Sequence, residues 1–139
     1  MLQLAAAPGG DPVSLDVLAT SQDLPRRFLE AIFSDLKGGG LVRSVRGPRG
    51  GYVLTRKPED IPLGDVFRAV SGPLAEVRGL RPHETHYDGV ARHLPTVWVA
   101  VRAALRDVLD TTTLDSVLDG KLPRHVKAMA DQPDAWQNR

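Results

Sequence analysis

Two glycine clusters lie close together and bound a short segment rich in valine and arginine. Gly38–Gly40 ends any helix that precedes it, because glycine readily adopts the positive φ of a helix C-cap. Gly47–Gly51 separates Leu41–Arg46 from Tyr52–Thr55, and both flanking segments are short and half apolar. The pattern predicts a β-hairpin that directly follows a helix and carries arginines at its tip.

The residues before the hairpin predict two helices. Ser14 is a favourable N-cap for a short helix over Leu15–Thr20, and Pro25 suits the start of a second helix that runs to about Lys37. Met1–Ala7 has the character of the last turns of a helix whose start is missing; it is too short for a signal peptide and lacks the basic flank. The second helix has one apolar stripe that we expect to be buried, consisting of Phe28, Leu29, Ile32, Phe33 and Leu36.

The remainder of the chain predicts further helices. Ile61–Val70 forms one, whereas Leu74–His93 is polar and gives no clear pattern. A helix of about fifteen residues follows, and it needs a partner helix, from this chain or from a second copy. Thr113 is expected to cap a final turn through Leu118, and the tail after Gly120 is expected to be mobile. The long helix carries what we call the heptad stripe: Leu94, Trp98, Val101, Leu105 and Val108.

Charge is distributed unevenly along the chain. The whole sequence has a net charge of +1, but residues 26–57 hold eight basic and two acidic residues, a local charge of +6. Such a cluster indicates a polyanionic partner, although a solvated surface is an equally fair interpretation. No cysteine is present, which excludes disulfides, thiolate metal sites and a cysteine nucleophile. No apolar run approaches the roughly 18 residues of a membrane span, so we expect no membrane association and a cytoplasmic location.

Two helices followed by a hairpin have the order of a winged helix-turn-helix. In that motif the start of the second helix reads base edges in the major groove. A glycine-rich, arginine-bearing tip suits the narrow minor groove. The alternatives are arginines that only solvate a helix and an ordinary hairpin turn; a phosphate-binding P-loop is disfavoured, since no Gly-Lys-Ser/Thr ending is present. The candidate DNA contacts are Pro25, Arg26, Arg27 and Glu30 on the helix, and Arg46, Gly47, Pro48, Arg49, Gly50 and Gly51 on the wing.

Catalytic and metal sites have weaker support. His83 and His86 are three residues apart, but no second ligand pair stands at a recognisable spacing, so a surface loop is the better interpretation. No nucleophile elbow or Ser–His–Asp arrangement is found. We therefore expect neither an enzyme nor a bound metal or other cofactor.

Two stretches carry a family resemblance, Leu24–Leu36 and Gly40–Tyr52. Together they closely resemble the Rrf-two family of bacterial transcriptional regulators, which includes iron–sulfur-cluster regulators and nitric-oxide-sensitive repressors. Ser44–Tyr52 is similar to the wing signature of that family, and Ile61–Val66 to its next helix. A looser match extends through Tyr87–Leu118.

The resemblance implies a mainly α fold with a small β-hairpin wing and a long C-terminal dimerisation helix. It implies a homodimer on double-stranded DNA, in which each winged domain reads one half-site, and it adds Ser14 to the DNA contacts. Redox-sensing and nitric-oxide-sensing members carry three cysteines in the loop that corresponds to about Val77–Arg92, and this chain has none. Without a cysteine-held cluster, three options are left for the control of this protein: another small ligand, a protein partner, or constitutive repression. The expected division is a DNA-binding domain at 1–72, a loop at 73–93, the dimerisation helix and final turn at 94–118, and a tail at 119–139.

The leading hypothesis is thus a dimeric, sequence-specific DNA-binding regulator, a repressor by expectation. The alternative is a winged-helix dimer that serves as a protein-interaction or scaffold module. It would need the dimer but not the local charge of +6. A metal-dependent enzyme is a distant third.

Overall fold

The computed structural model describes residues 1–137. It is mainly helical, with one two-stranded antiparallel sheet and short 3-10 turns in the connections. None of the helices in this part of the chain is long and apolar enough to cross a membrane. The elements are α1 (Leu2–Ala5), α2 (Leu15–Gln22), α3 (Arg26–Gly38), β1 (Val42–Val45), β2 (Gly51–Leu54), α4 (Leu63–Ser71), α5 (Leu94–Leu109), α6 (Leu114–Leu118) and α7 (Arg124–Ala130).

The core lies between α2, α3, the hairpin and α6. α3 buries Leu29, Phe33 and Leu36, spaced by four and three residues along one face. Ile32 is half-buried, and the expected burial of Phe28 is wrong, because 53% of this residue is exposed. The neighbouring helices cover the centre of the stripe, which Leu29, Phe33 and Leu36 occupy. Phe28 lies at the edge of the stripe, about 100° around the helix from Leu29, and is therefore left exposed.

The hairpin has the predicted place, directly after α3. β1 and β2 pair from Val42 opposite Leu54 to Val45 opposite Gly51, so residues 46–50 form the tip. Val42 is buried in the core cluster, and Tyr52 and Leu54 on the same face of the sheet pack against that cluster. Val53 pairs with Arg43 on the other face and is buried outside the cluster, while Arg46–Arg49 of the tip are exposed.

α4 begins at Leu63, two residues later than predicted. Ile61 lies outside the helix and is completely buried. Its carbonyl accepts a hydrogen bond from the Leu114 N–H (3.0 Å), and the Leu63 N–H donates to Thr112 (2.8 Å). Leu114 is buried in the same core cluster as residues of α2 and α3, so α6 packs back on the first helices of the chain.

The last helices differ in how well the sequence predicted them. Thr113 caps α6 as expected, since its hydroxyl accepts from the Ser116 N–H (3.2 Å). The tail, for which no periodic pattern was found, contains α7. There His125 Nε2 donates to the carbonyl oxygen of Asp107 (3.0 Å), which ties α7 to the end of α5.

Candidate nucleic-acid interface

The turn between α2 and α3 is fixed by local backbone chemistry. The Ser14 hydroxyl accepts a hydrogen bond from the Val17 N–H (3.2 Å), so Ser14 is the predicted N-cap of α2. α2 ends at Gln22, and its C-cap residue Asp23 adopts the left-handed conformation (φ 50°). Pro25 then stands as the extended N-cap of α3. The chain reverses within a few residues, and the start of α3 comes next to the start of α2.

Arg26 connects these two helix starts. Its guanidinium forms an ion pair with Asp16 in the first turn of α2, and its Nε lies 3.1 Å from Glu30 Oε1. The hydrogen bond with Asp16, and then that with Glu30, raises the pKa of Arg26. All three side chains are more than half exposed, so the pairs lie on the surface and add little to stability. They do fix the direction in which Arg26 points.

Three other arginines of the predicted set are exposed without a counter-ion. Arg27, Arg46 and Arg49 form no ion pair within residues 1–137. Arg27 lies at the start of α3, and the other two lie in the hairpin tip. These three positive charges are free to meet a polyanion.

The tip of the wing needs glycine at defined positions. Gly47 has φ of +119°, and the Gly50 N–H donates to the Gly47 carbonyl (2.9 Å). A Cβ on Gly50 would lie only 2.4 Å from the Val45 carbonyl oxygen. The tip is therefore a tight, defined turn and not a loose loop.

The wing is attached directly to the start of α2. Val13 and Tyr52 exchange two backbone hydrogen bonds of 3.0 and 2.9 Å, next to Gly51. The Tyr52 ring also packs on buried Phe33 of α3, with ring centroids 4.6 Å apart. The wing is thus held against both helices of the helix-turn-helix.

This attachment brings predicted residues from two segments together. A groove of about 540 Å³ is lined by residues of the α2 start, including Ser14, by Pro48, Arg49 and Gly50 of the wing tip, and by residues of the N-terminal segment between Gln3 and Pro12. Arg46 is exposed on the same tip but does not line the groove. We call the combined surface the candidate DNA face: Ser14, Pro25, Arg26, Arg27, Glu30, Arg46, Gly47, Pro48, Arg49, Gly50 and Gly51.

Sequence patterns did not reveal Asp16, which holds Arg26. The two residues are ten positions apart and meet only because the turn folds α3 back toward the start of α2. The acid in the first turn of α2 has an obvious local explanation, because it favours the positive end of the helix dipole. That local role conceals its contact with Arg26.

The heptad stripe lies on α5 as predicted, and residues 1–137 cover it only in part. None of the sixteen residues of α5 is buried, and Val101 and Leu105 are 41% and 40% exposed. Leu94, Trp98 and Val108 are half-buried. Within the described chain the Trp98 indole N–H is buried and has no hydrogen-bond acceptor.

The histidines of the connecting loop have polar partners. His86 Nε2 lies 3.1 Å from Asp88, and His83 Nδ1 accepts from Arg102 Nη1 at 3.2 Å. Between residues 1 and 137, no three His, Cys, Asp or Glu side chains come together in a way that could hold a metal ion. Whether the chain works without a cofactor stays a prediction.

Two helices with a capped turn, a hairpin wing bound to the first of them, and a face of unpaired arginines define a winged helix-turn-helix DNA-binding protein. The Rrf2 family, described as iron-dependent transcriptional regulators, matches residues 1–120. The chain belongs to this family, the Rrf-two family of the sequence resemblance, whose members are transcriptional regulators and not enzymes.

The relatives agree in sequence and in structure. The Mycobacterium tuberculosis protein Rv1287 is 45% identical over 138 residues, which cover 99% of this chain and 86% of that protein. The HTH-type transcriptional regulator CymR of Bacillus subtilis is 38% identical over 117 residues, covering 84% and 80%. The solved structure of CymR, the global cysteine regulator of B. subtilis, covers 86% of this chain and 87% of its own, with a TM-score of 0.71 and 35% identity. The T. potens IscR structure covers 98% and 87%, with a TM-score of 0.68 and 32% identity.

The family is described as iron-dependent, but a cysteine-ligated iron–sulfur cluster does not fit the donor atoms of this chain. Without cysteine it offers no thiolate for an iron–sulfur cluster. In the loop at 73–93, the ring nitrogens of His83 and His86 meet Arg102 and Asp88 and do not converge on one point. We therefore derive no role for a cluster in this protein.

Proposed function

We propose that this protein is a cytoplasmic homodimer that binds a two-half-site operator in a sequence-specific manner and represses transcription, without a cysteine-ligated cluster. Each α3 enters a major groove, and each wing tip approaches the adjacent minor groove. Occupation of promoter DNA by such a dimer blocks access of the transcription machinery. The effector that releases it is a small molecule or a protein.

One observation carries the proposal: the wing is joined by two backbone hydrogen bonds to Val13, next to the cap of α2. The arginines of the tip and of the α3 start therefore belong to one rigid unit. Phosphate contacts and base contacts need such a fixed relation, because the spacing of the grooves is set by the duplex.

The Arg26–Glu30 pair suits discrimination between bases. A carboxylate repels DNA in general but can accept a hydrogen bond from cytosine N4, and an arginine can bind guanine through two hydrogen bonds. Because Glu30 and Asp16 already hold Arg26, its guanidinium is not free to follow any nearby phosphate. The contribution of this pair is specificity, whereas Arg27, Arg46 and Arg49 contribute affinity.

The exposed heptad stripe supports the homodimer. A helix that exposes valine and leucine at a/d spacing buries them efficiently against a second helix of the same kind. The unpaired Trp98 N–H also supports a further neighbour, since a buried donor without an acceptor costs about 1–3 kcal/mol.

The test of the DNA face is a salt series with promoter fragments from the protein's own genome. For the wild type, the logarithm of the binding constant should fall steeply as the logarithm of salt concentration rises. Arg46→Ala should bind more weakly at low salt and reduce that slope by about 1. Arg124→Ala on α7 is the matched control, since it removes an exposed arginine outside the DNA face, and it should leave the slope unchanged. Equal slopes for wild type and Arg46→Ala would contradict the role of the wing.

A second variant separates specificity from affinity. Glu30→Ala should lower the ratio of affinities for matched and mismatched operators and should not weaken binding to random DNA, because Arg26 then loses one of its two carboxylate partners and a repulsive charge is removed. Asp35→Ala removes the same charge from the same helix without touching Arg26, and it should keep the ratio. If both variants change the ratio equally, the Arg26–Glu30 pair does not read bases.

A protein-interaction module remains the alternative, and the same experiment distinguishes it. A scaffold would form the dimer but would not shift promoter or random DNA even at low salt. No feature of the described residues favours this alternative over DNA binding.

A further inference from the structure

A second concentration of positive charge lies away from the DNA face. A cavity of about 490 Å³ opens between the end of α4, the loop that follows it, and α5. We call it the arginine cavity, and its charged lining consists of Arg68, Arg81, Arg102, Arg106 and Asp110. Arg68 is also paired with Asp65 outside the lining (3.0 Å), so the uncompensated positive charge of the wall lies on Arg81 and Arg102.

The single carboxylate is shared between two of the arginines. Asp110 lies 2.8 Å from Arg68 Nη2 and 3.2 Å from Arg106 Nε. Desolvation alone would raise the pKa of Asp110, but the two guanidinium groups outweigh it and hold the pKa below its usual value. The buried Oδ1 atom has no well-aligned donor within residues 1–137, so its contact with Arg68 is an ion pair of imperfect geometry.

The other two arginines have no acidic partner. Arg102 Nη1 donates a hydrogen bond to the ring of His83, whose Nδ1 carries no proton when it accepts this bond. The Arg81 side chain forms no ion pair with any described residue. Two guanidinium groups therefore line a concave site with their charge uncompensated, next to the apolar Pro73 and Leu74.

We propose that the arginine cavity binds a small organic anion with at least two negative charges, carried by carboxylate or phosphate groups. Planar guanidinium groups match both kinds of oxyanion through paired hydrogen bonds. The apolar part of the lining accommodates a short carbon skeleton, and the volume is within the range of small-molecule sites. The anion supplies the negative charge that Arg81 and Arg102 lack.

The position of the cavity links the anion to the DNA-binding unit. α4 packs on α3 so closely that a Cβ on Gly39 would lie 2.8 Å from the Ala69 Cβ. On its other side α4 meets α5, where a Cβ on Gly64 would lie 1.9 Å from Asp110 Oδ1. An anion that draws Arg68 and Arg106 from Asp110 changes the contact between α4 and the helix that carries the heptad stripe. This regulatory consequence rests on the proposed function, whereas the binding itself does not.

Binding is tested on the full chain with two probes, succinate and inorganic phosphate, each compared with sodium chloride at equal ionic strength. At least one probe should raise the melting temperature in a saturable manner. Arg81→Gln and Arg102→Gln should each weaken that binding at least tenfold. Arg78→Gln, in the same loop but outside the cavity lining, should bind as the wild type does.

Two results would overturn the anion site. One is stabilisation by neither probe beyond that of chloride; the other is equal stabilisation of the wild type and both cavity variants. Arg81 makes no side-chain ion pair, so Arg81→Gln tests the site even if Arg102→Gln proves unstable. A response to phosphate alone or succinate alone identifies the charged group that the cavity selects.

The coupling is tested separately, by measuring operator affinity with and without the probe at fixed ionic strength. A change in the wild type that is absent in Arg81→Gln establishes regulation through the cavity. Binding of the anion with unchanged operator affinity refutes the coupling and leaves the site intact. If no DNA binds under any condition, the proposed function fails and the anion result still stands.

Discussion

The attachment of the wing to α2 depends on the absence of a side chain at Gly51. A Cβ there would lie 2.4 Å from the Val13 carbonyl oxygen and 2.8 Å from the Ser14 nitrogen, both of them backbone atoms that cannot rotate away. Gly51→Ala should therefore separate the strand from Val13 and break the two hydrogen bonds between Val13 and Tyr52. At about 0.5–1.5 kcal/mol each, their loss amounts to about 1–3 kcal/mol. Alanine regains about 0.5–1 kcal/mol of this through its smaller conformational entropy, so the free energy of unfolding should fall by about 1 kcal/mol, and by no more than about 2.5 kcal/mol.

Urea denaturation measures this loss, and Gly38→Ala is the matched control. No atom lies within 4 Å of a Cβ at Gly38, and its φ is not positive, so alanine should raise stability there by about 0.5–1 kcal/mol. Operator affinity should fall in Gly51→Ala, because the wing arginines lose their fixed relation to α3. The reasoning is refuted if Gly51→Ala is as stable as Gly38→Ala, or if it loses stability while binding the operator like the wild type.

Three further predictions concern stability and assembly. Ser14→Ala should cost about 1 kcal/mol in urea denaturation, because it removes the N-cap of α2; an unchanged midpoint would show that the cap contributes nothing. Leu105→Asp should convert a dimer into a folded monomer in light scattering, whereas Val90→Asp, at a fully exposed position, should not; a dimer in both would place the interface elsewhere. Hydrogen bonds from neighbouring arginines, Arg56 first, lower the pKa of Asp65 below its usual 3.8. Its stabilising contribution should be complete above that value and be lost as the pH falls below it, so Asp65→Asn should flatten the decline of the urea midpoint in acid.

Local signals were enough to predict the helix-turn-helix and the wing. Ser14, Pro25 and the glycines act through their own backbone preferences, and these do not depend on distant residues. The burial of Phe28 was predicted wrongly, because spacing defines the direction of an apolar stripe but not how far the neighbouring helices extend over it. For α7 the sequence offered little periodicity, and the helix has no buried residue that could produce such a pattern.

The candidate site depended more on contacts between elements. The individual arginines were visible in the sequence as a local excess of positive charge. Their relation to one another was not, because it is set by the pairing of Val13 with Tyr52 and of Asp16 with Arg26. The arginine cavity joins α4 to α5 across a loop of weak pattern, and no spacing rule connects Arg68 with Arg102.

The two positive regions differ in how they are neutralised, and this difference follows their proposed roles. On the DNA face, Arg26 is held by two carboxylates, whereas Arg27 and the two arginines of the wing tip carry no counter-ion among residues 1–137. A long polyanion supplies many phosphates, so unpaired surface arginines suffice for affinity, and the held arginine can be reserved for base edges. The cavity also contains two arginines without an acidic partner, but its carboxylate, Asp110, stands between Arg68 and Arg106, where a small anion would compete with it. Because Asp110 competes with the anion for Arg68 and Arg106, the affinity of the cavity for the anion is reduced. A weaker affinity lets the occupancy of the cavity follow changes in the concentration of the anion, as a regulatory ligand requires.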